Sequence, residues 1–463
     1  MLKIKNTLTK NIEEFKPIKR GLFTSKTVGM YNCGPTVYSK AHIGNLRAYI
    51  FADLIRKTLE FNGYKVNQVI NITDVGHLTS DSDEGSDKVE EQARKENKTA
   101  EEITEKYTGI FFNDLDRLNI DRSKIIFPKA TDHIKEQIHI IEKLENKKLT
   151  YKTSDGIYFD TKSFKDYGKL GNIDINGLRE GHRVEKNPEK KNSTDFALWK
   201  FSGDERRLQE WESPWGVGFP GWHLECSAMS IKYLGDSFDI HTGGIDHVNI
   251  HHNNEIAQSE SFTGKLFAKY WMHVNHIQIE GEKISKSIGN VIYLDELEEK
   301  GYSPMSYKYL LFTAHYSTLI NFTEENLKAS QKALYKIYDF LNRTKGTGDV
   351  NEEALNEFKT AINDDLNTAK SIAVIFELLS NKNISDKDKK ATILKYNEVL
   401  NLGFDNPKSI EVEIPKEVLI LAEERKVARE NKDFEKADSL REEITKHGFE
   451  VKDIGDSFEL DNM

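Results

Sequence analysis

The segment from Thr27 to Ile72 constrains the fold more than any other part of the chain. Residues 27–33 (TVGMYNC) read as a short strand closed by Gly34-Pro35. Residues 43–62 read as a helix with Leu46, Ile50, Leu54 and Leu59 on one face, stopped at Gly63, and residues 66–72 as a second strand. Strand, helix and strand at this spacing make a right-handed βαβ crossover, so the two strands are parallel neighbours. The tetrapeptide His42-Ile43-Gly44-Asn45 then falls where the first strand hands over to the helix. Its groups lie at the carboxyl edge of the sheet beside a helix N-terminus, a natural seat for phosphate. Taken alone, the same four residues are ordinary capping and turn chemistry.

The chain has 463 residues, enough for about three domains. From about 80 to 200 it becomes polar and charge-rich, with residues 90–118 and 133–148 reading as amphipathic helices and 151–161 as a hairpin. This stretch reads as an insertion between two halves of a parallel sheet. Aromatic, glycine-rich chain returns at 195–200 and 211–230, followed by a strand at 237–241, the turn TGGID and a helix from about 251. After residue 287 the pattern is helical only, for example at 353–382 and 416–448. The expected fold class is α/β, a Rossmann-like parallel-sheet domain split by an insertion and followed by an all-helical C-terminal domain.

Composition excludes several classes. No run of 18 apolar residues exists, so no membrane partner is expected, and the N-terminus lacks the apolar core of a secretory signal, which makes the cytoplasm the expected location. The net charge of −10 gives no global pull on nucleic acid, and residues 321–463 carry 22 Lys and Arg against 30 Asp and Glu, a net of −8. The densest basic stretch, Arg179–Lys191, reads as a solvated loop. Two cysteines, Cys33 and Cys226, cannot form a disulfide framework in a chain this long, so they are buried thiols or ligands.

Two further groupings carry chemistry. In Lys283-Ile284-Ser285-Lys286-Ser287, two ammonium groups on a polar loop can neutralise charge building on a leaving pyrophosphate. Isolated, such a string is a solvated loop; paired with His42 and Asn45 at the head of a βαβ helix, it points to phosphate chemistry. His251 and Glu255 are four apart, so an imidazole and a carboxylate face one point of a helix. With thiolates from Cys33 and Cys226 they make a plausible zinc set by ligand type, although two distant cysteines are also common as inert core thiols.

The strings H-I-G-N and K-I-S-K-S resemble the HIGH and KMSKS pair of class I aminoacyl-tRNA synthetases, with Asn45 for the last His and Ile284 for Met. The blocks YNCGPTVY, GWHLECSAMS, GGID, HHNNEIAQS and YWMH are similar to those of the cysteinyl-tRNA synthetase family, over essentially the whole chain. The resemblance implies ATP-dependent ligation of L-cysteine to tRNA(Cys) through a cysteinyl-adenylate, Mg2+ entering with ATP. It also implies one Zn2+ held by Cys33, Cys226, His251 and Glu255, with the substrate thiolate as a further ligand.

On that footing His42, Asn45, Lys283 and Lys286 would be catalytic. ATP and adenylate would be held by these four with Gly34, Thr36, Gly44, His241, Gly244, Asp246 and Ser285, Asp246 facing the ribose, and Thr73, Asp74 and Trp222 would line the amino-acid pocket. The implied division is catalytic halves at 1–120 and 206–275, a connective insertion at 121–205, a KMSKS-loop and stem-contact region at 276–325, and a helical anticodon-binding region at 326–463. Arg425, Lys426 and Arg429 would offer RNA contacts, although each one taken singly reads as part of a solvated face, and the family implies a monomer. Three departures stand out: the long 76–88 stretch, Phe219 where many relatives have Arg, and Asp456-Ser457-Phe458 in place of a terminal Thr-x-Trp. A cysteine ligase acting on an amino sugar is the alternative within the same chemistry, but about 140 residues beyond Leu319 exceed its needs. A catalytically silent RNA-binding relative is the other, and it would not require the intact ligand set and both loop lysines.

Overall fold

Val28, Met30 and Tyr31 are all fully buried, and a strand covered on both faces belongs inside a parallel sheet. The computed structural model describes residues 1–18, 26–76, 87–171, 188–203, 207–285, 288–408, 415–455 and 457–462. Its central sheet has five strands in the order Ala268–Val274, Phe238–Gly244, Thr27–Asn32, Lys65–Ile70 and Ile125–Ile126, every neighbour parallel. The chain leaves Thr27–Asn32 toward Lys65–Ile70 and later returns on its other side as Phe238–Gly244. The strand order therefore reverses between those two strands, and the crevice at their carboxyl ends is where such sheets bind ligands.

The helix Ile43–Phe61 packs Leu46, Ile50, Leu54 and Leu59 into the main core. Its cap is made by the tetrapeptide itself: His42 Nδ1 accepts from the Asn45 amide at 3.2 Å, and Asn45 Oδ1 accepts from the His42 amide at 3.2 Å. This reciprocal capping satisfies two end groups that the helix cannot satisfy internally.

Between Ile125–Ile126 and Phe238–Gly244 lie the helix Ile134–Asn146 and a four-stranded antiparallel sheet, Thr150–Lys152, Gly156–Phe159, Phe196–Phe201 and Gly218–Pro220. Ile125–Ile126 joins the parallel sheet and Gly218–Pro220 completes the antiparallel one. After Ala268–Val274 a small sheet forms from Ile277–Ile279, Glu282–Lys283 and Ile320–Phe322. Helices follow at Glu324–Arg343, Glu352–Ile362, Thr368–Ser380 and Asp386–Leu400.

Two compact units are distinguished, Met1–Pro407 and Lys408–Met463. The second holds helices Lys416–Glu430 and Phe434–Lys446 over a core of Val418, Ala422, Ile444, Phe449 and Val451. The expected helices are present, and the unit also ends in an antiparallel hairpin, Phe449–Ile454 with Ser457–Asn462. Among the described residues no helix is long and apolar enough to cross a membrane.

Candidate metal and nucleotide site

Cys33 follows directly on Thr27–Asn32, and its amide donates to Thr242 O at 3.1 Å, which pins it to the end of the neighbouring strand. Gly34 next to it approaches the backbone so closely that a Cβ would lie 1.5 Å from Asn71 O, while its amide donates to Asn71 Oδ1 at 2.8 Å. Gly34→Ala must therefore push Cys33 and Asn71 apart, and it is expected to cost about 1–3 kcal/mol of stability. Denaturant unfolding measures this; a variant as stable as the parent removes the close-approach argument.

Cys226 lies within the helix Trp222–Leu234, and His251 and Glu255 lie on successive turns of the helix His251–Thr263. The structure brings Cys33, Cys226, His251 and Glu255 together, with their donor atoms all within 4.8 Å of one another. Cys226, His251 and Glu255 are buried and Cys33 is half-buried. A second set sharing two members, Cys33, His241, His252 and Glu255, meets the same condition. Cys33 Sγ lies 3.2 Å from His252 Nε2 and 3.9 Å from Glu255 Oε1.

The groups behind these donors orient them. Glu255 faces His251 Nε2 at 2.9 Å through one oxygen and His241 Nε2 at 2.7 Å through the other. His251 Nδ1 meets His223 Nδ1 at 2.8 Å, and His252 Nδ1 meets His273 Nε2 at 2.8 Å, whose Nδ1 meets Thr7 Oγ1 at 2.7 Å. Partners of this kind fix ring orientation and tautomer in metal sites.

Electrostatics fit a cation. Burial alone would raise Glu255, but His241 and His251 outweigh it and hold the carboxyl well below the usual range. Burial works against charge on His251 too, yet Glu255 and Cys226 prevail and push it up to about 10. Cys226 is drawn down to about 7, first by its hydrogen bond with Cys33, while burial and then Cys226 push the Cys33 thiol up. The surroundings thus favour a proton on His251 and on Cys33, in the places where a divalent cation's charge would sit. Two thiols, an imidazole and a carboxylate are donors that zinc accepts, and binding would release those protons.

The two signature strings also meet. A Cβ on Gly44 would touch the His42 ring and Ile284 Cδ1, each at 2.9 Å, so the lysine loop runs across the tetrapeptide. The Ile43 amide donates to Ile292 O at 3.0 Å. Asn290 staples the loop, accepting from the Ser285 amide at 2.8 Å and donating to Lys283 O at 3.0 Å. Lys283 is exposed on its short strand, whereas Lys286 and Ser287 lie outside the described residues. Thr36 and Thr73 bridge in parallel, and Gly244 ends its strand with open space beside its Cα. Trp222 packs its ring 4.7 Å from that of His251.

Several expected residues take other positions. His241, expected along the nucleotide pocket, is fully buried behind the thiols and stacks on Trp271 at 4.5 Å. The Asp74 carboxylate turns to Thr131, accepting from its amide at 2.9 Å and its hydroxyl at 2.6 Å. Asp246 pairs with His276. Phe219 is buried with the Arg207 guanidinium 3.7 Å from its ring centroid, and Arg207 also pairs with Asp87. Arg425 is 4% exposed and forks onto Asp453 at 2.8 and 3.1 Å, with Arg429 on the same carboxylate at 2.5 Å, and Lys426 lies 3.9 Å from Glu430. Residues 77–86 and 172–187 lie outside the described residues; of the basic stretch, Lys190 and Lys191 sit over the rings of Tyr158 and Tyr151. Sequence reasoning missed His252, His223 and His273. The first two carried a signal, since each stands three residues from a named donor on its own helix.

The fold and the meeting of the two strings define a class I tRNA synthetase. Residues 20–332 match the model described as tRNA synthetases class I (C) catalytic domain, and 357–402 match the DALR domain. Mycobacterium tuberculosis methionyl-tRNA synthetase in complex with methionyl-adenylate has a similar fold, with a TM-score of 0.57 at 14% identity over 83% of this chain and 92% of that one. Residues 412–459 match the cysteinyl-tRNA ligase anticodon binding domain. Cysteine–tRNA ligase 1 of Burkholderia lata is 45% identical over 100% of this chain and 97% of its own length. Cysteine–tRNA ligase of Treponema denticola is 41% identical over 98% of each chain. The chain belongs to the cysteine–tRNA ligase family.

Proposed function

We propose that this protein joins L-cysteine to tRNA(Cys) in two steps at the expense of Mg-ATP, and that Cys33, Cys226, His251 and Glu255 hold a zinc ion that recognises the substrate thiol. The observation that carries the reading is the convergence of these four donors at the strand-order reversal, where the same chain segment runs on from Cys33 to the helix capped by His42. Bound zinc supplies a soft Lewis acid that prefers a thiolate to a hydroxyl. An apolar pocket separates cysteine from serine by only about 1–3 kcal/mol, whereas accuracy of about 10⁴ needs more than about 5 kcal/mol. A thiolate-selective site closes that gap without an editing domain. His241 and His223 act as positioning residues, orienting Glu255 and His251.

In the first step the cysteine carboxylate attacks the α-phosphorus of ATP, and the bond to pyrophosphate breaks. His42 and Asn45, with the ammonium groups of Lys283 and Lys286, stabilise charge on the transferring and leaving phosphates. Gly34, Thr36, Gly44, Gly244 and Ser285 shape the nucleotide pocket, Asp246 takes the ribose once it parts from His276, and Thr73 and Trp222 bound the amino acid. In the second step a terminal ribose hydroxyl of the tRNA accepts the acyl group and AMP leaves. No side chain forms a covalent bond to substrate; orientation and electrostatics carry the rate.

We further infer a monomer acting in the cytoplasm. Catalytic halves at 1–120 and 206–275, an insertion at 121–205 and a loop region at 276–325 serve the chemistry, while 326–463 contacts the tRNA. The deciding experiment is aminoacylation of a tRNA(Cys) transcript with cysteine, with serine as control, before and after chelation. Charging with cysteine alone, lost on chelation and restored by Zn2+, is expected. Cysteine activation without tRNA charging would instead indicate the amino-sugar ligase, and tRNA binding without activation a silent relative.

A further inference from the structure

Arg47 stands two residues after Asn45 on the same helix, so it faces inward where Asn45 faces out. It is 2% exposed. Its Nη1 donates to Asn275 O at 2.9 Å and His276 O at 2.5 Å, and its Nη2 to Tyr316 O at 3.2 Å and Thr318 O at 2.8 Å. These four carbonyls belong to two chain segments, one just ahead of Ile277–Ile279 and one just ahead of Ile320–Phe322. The two strands they lead into pair in parallel, Ile277 with Ile320, and Ile277–Ile279 pairs in turn with the strand that carries Lys283. One guanidinium therefore grips the small sheet of the lysine loop at the base of both its parallel strands.

We infer that Arg47 is a positioning residue that sets the register between the His42–Asn45 end of the helix and the lysine loop, and so between the two halves of the phosphate site. The inference rests on the proposed function for what that site does. Only a planar fork of donors reaches four carbonyls on two segments; a lysine ammonium is a single point with three donors on a flexible stem. Neighbouring contacts tie down the same module: Tyr307 donates to Ile43 O at 2.6 Å, and Lys40 meets Asp295 at 2.7 Å. Neither reaches the bases of the two strands. The donors Cys33, Cys226, His251 and Glu255 lie outside this linkage, so a loss of register should spare them.

The test compares the parent with Arg47→Lys and Arg47→Ala, each loaded with Co2+ in place of the native metal. Cysteine-dependent pyrophosphate exchange is read beside the cobalt–thiolate absorption band. In Arg47→Lys, kcat is expected to fall about 10²-fold, the scale of a misplacement of about 1 Å at a reacting centre. The cobalt band and the KM for cysteine should stay at parental values, and methylguanidinium should restore part of the rate in Arg47→Ala. Exchange at the parental rate in Arg47→Lys would overturn the inference, and so would loss of the cobalt band together with activity in both variants, which marks a fold defect alone. A parent that loads cobalt but shows no cysteine-dependent exchange overturns the functional reading itself.

Discussion

Cys226→Ser is expected to abolish binding of the proposed zinc ion and, with it, cysteine activation. The side chain is 2% exposed, and its hydrogen bond with Cys33 draws its thiol down to about 7, toward the thiolate that a metal takes. A serine hydroxyl does not ionise there, and it leaves His251 and Glu255 facing a hard neutral oxygen. Loss of a mere supporting partner costs metal sites about 10–100-fold in affinity, so loss of a direct thiolate donor should exceed that range. The packing change is small, because serine nearly matches cysteine in volume among Tyr31, Met229 and Trp271. Elemental analysis and pyrophosphate exchange read the result together. A variant that keeps parental metal content would remove Cys226 from the donor set.

The second large effect falls on the lysine loop. Lys286→Ala is expected to lower cysteine-dependent pyrophosphate exchange by about 10²–10³-fold, the usual loss when one preorganised charge-stabilising group is removed. Metal content should not change. Gly44 against Ile284 already brings the loop across the helix N-terminus, and in the proposed mechanism the charge of its lysines acts on the leaving pyrophosphate. Lys283→Ala should show the same signature, and the double variant should fall by less than the product of the two losses, because both lysines act on one leaving group. Exchange at the parental rate in Lys286→Ala would refute its role.

The crossover unit was legible because each of its elements carries its own stop signal. The strand read at 27–33 spans Thr27–Asn32, the helix read at 43–62 spans Ile43–Phe61, and the strand read at 66–72 spans Lys65–Ile70. The pairing of His251 with Glu255 was legible from helix periodicity, since a spacing of four puts both on one face. That Cys33 meets Cys226 was not, because no local rule relates the end of a strand to the middle of a helix nearly 200 residues later. It came only with the family resemblance.

Other features were hidden for related reasons. Arg425 read as a solvated cation because its partner, Asp453, lies on a hairpin that the sequence reading took for helix. Alternating Phe449 and Val451 ahead of Gly455 signalled that hairpin, but the helical periodicity upstream masked it. His241 was assigned to the nucleotide pocket by its block, and only side-chain packing shows that its imidazole supports Glu255 instead. Burial of Arg47 against four carbonyls is likewise invisible to periodicity, which counts an arginine as surface.

The donor positions also carry a consequence for biosynthesis. They lie at 33, 226, 251 and 255, and closing a loop of about 190 residues is entropically costly and slow until the intervening elements have folded. A nascent chain halted before residue 251 has both sulfurs but neither the imidazole nor the carboxylate, so the proposed four-donor set is complete only after most of the sheet has been made. Starvation for the metal should then leave an assembled polypeptide waiting to be loaded rather than an unfolded one, and its stock could be rescued without new synthesis.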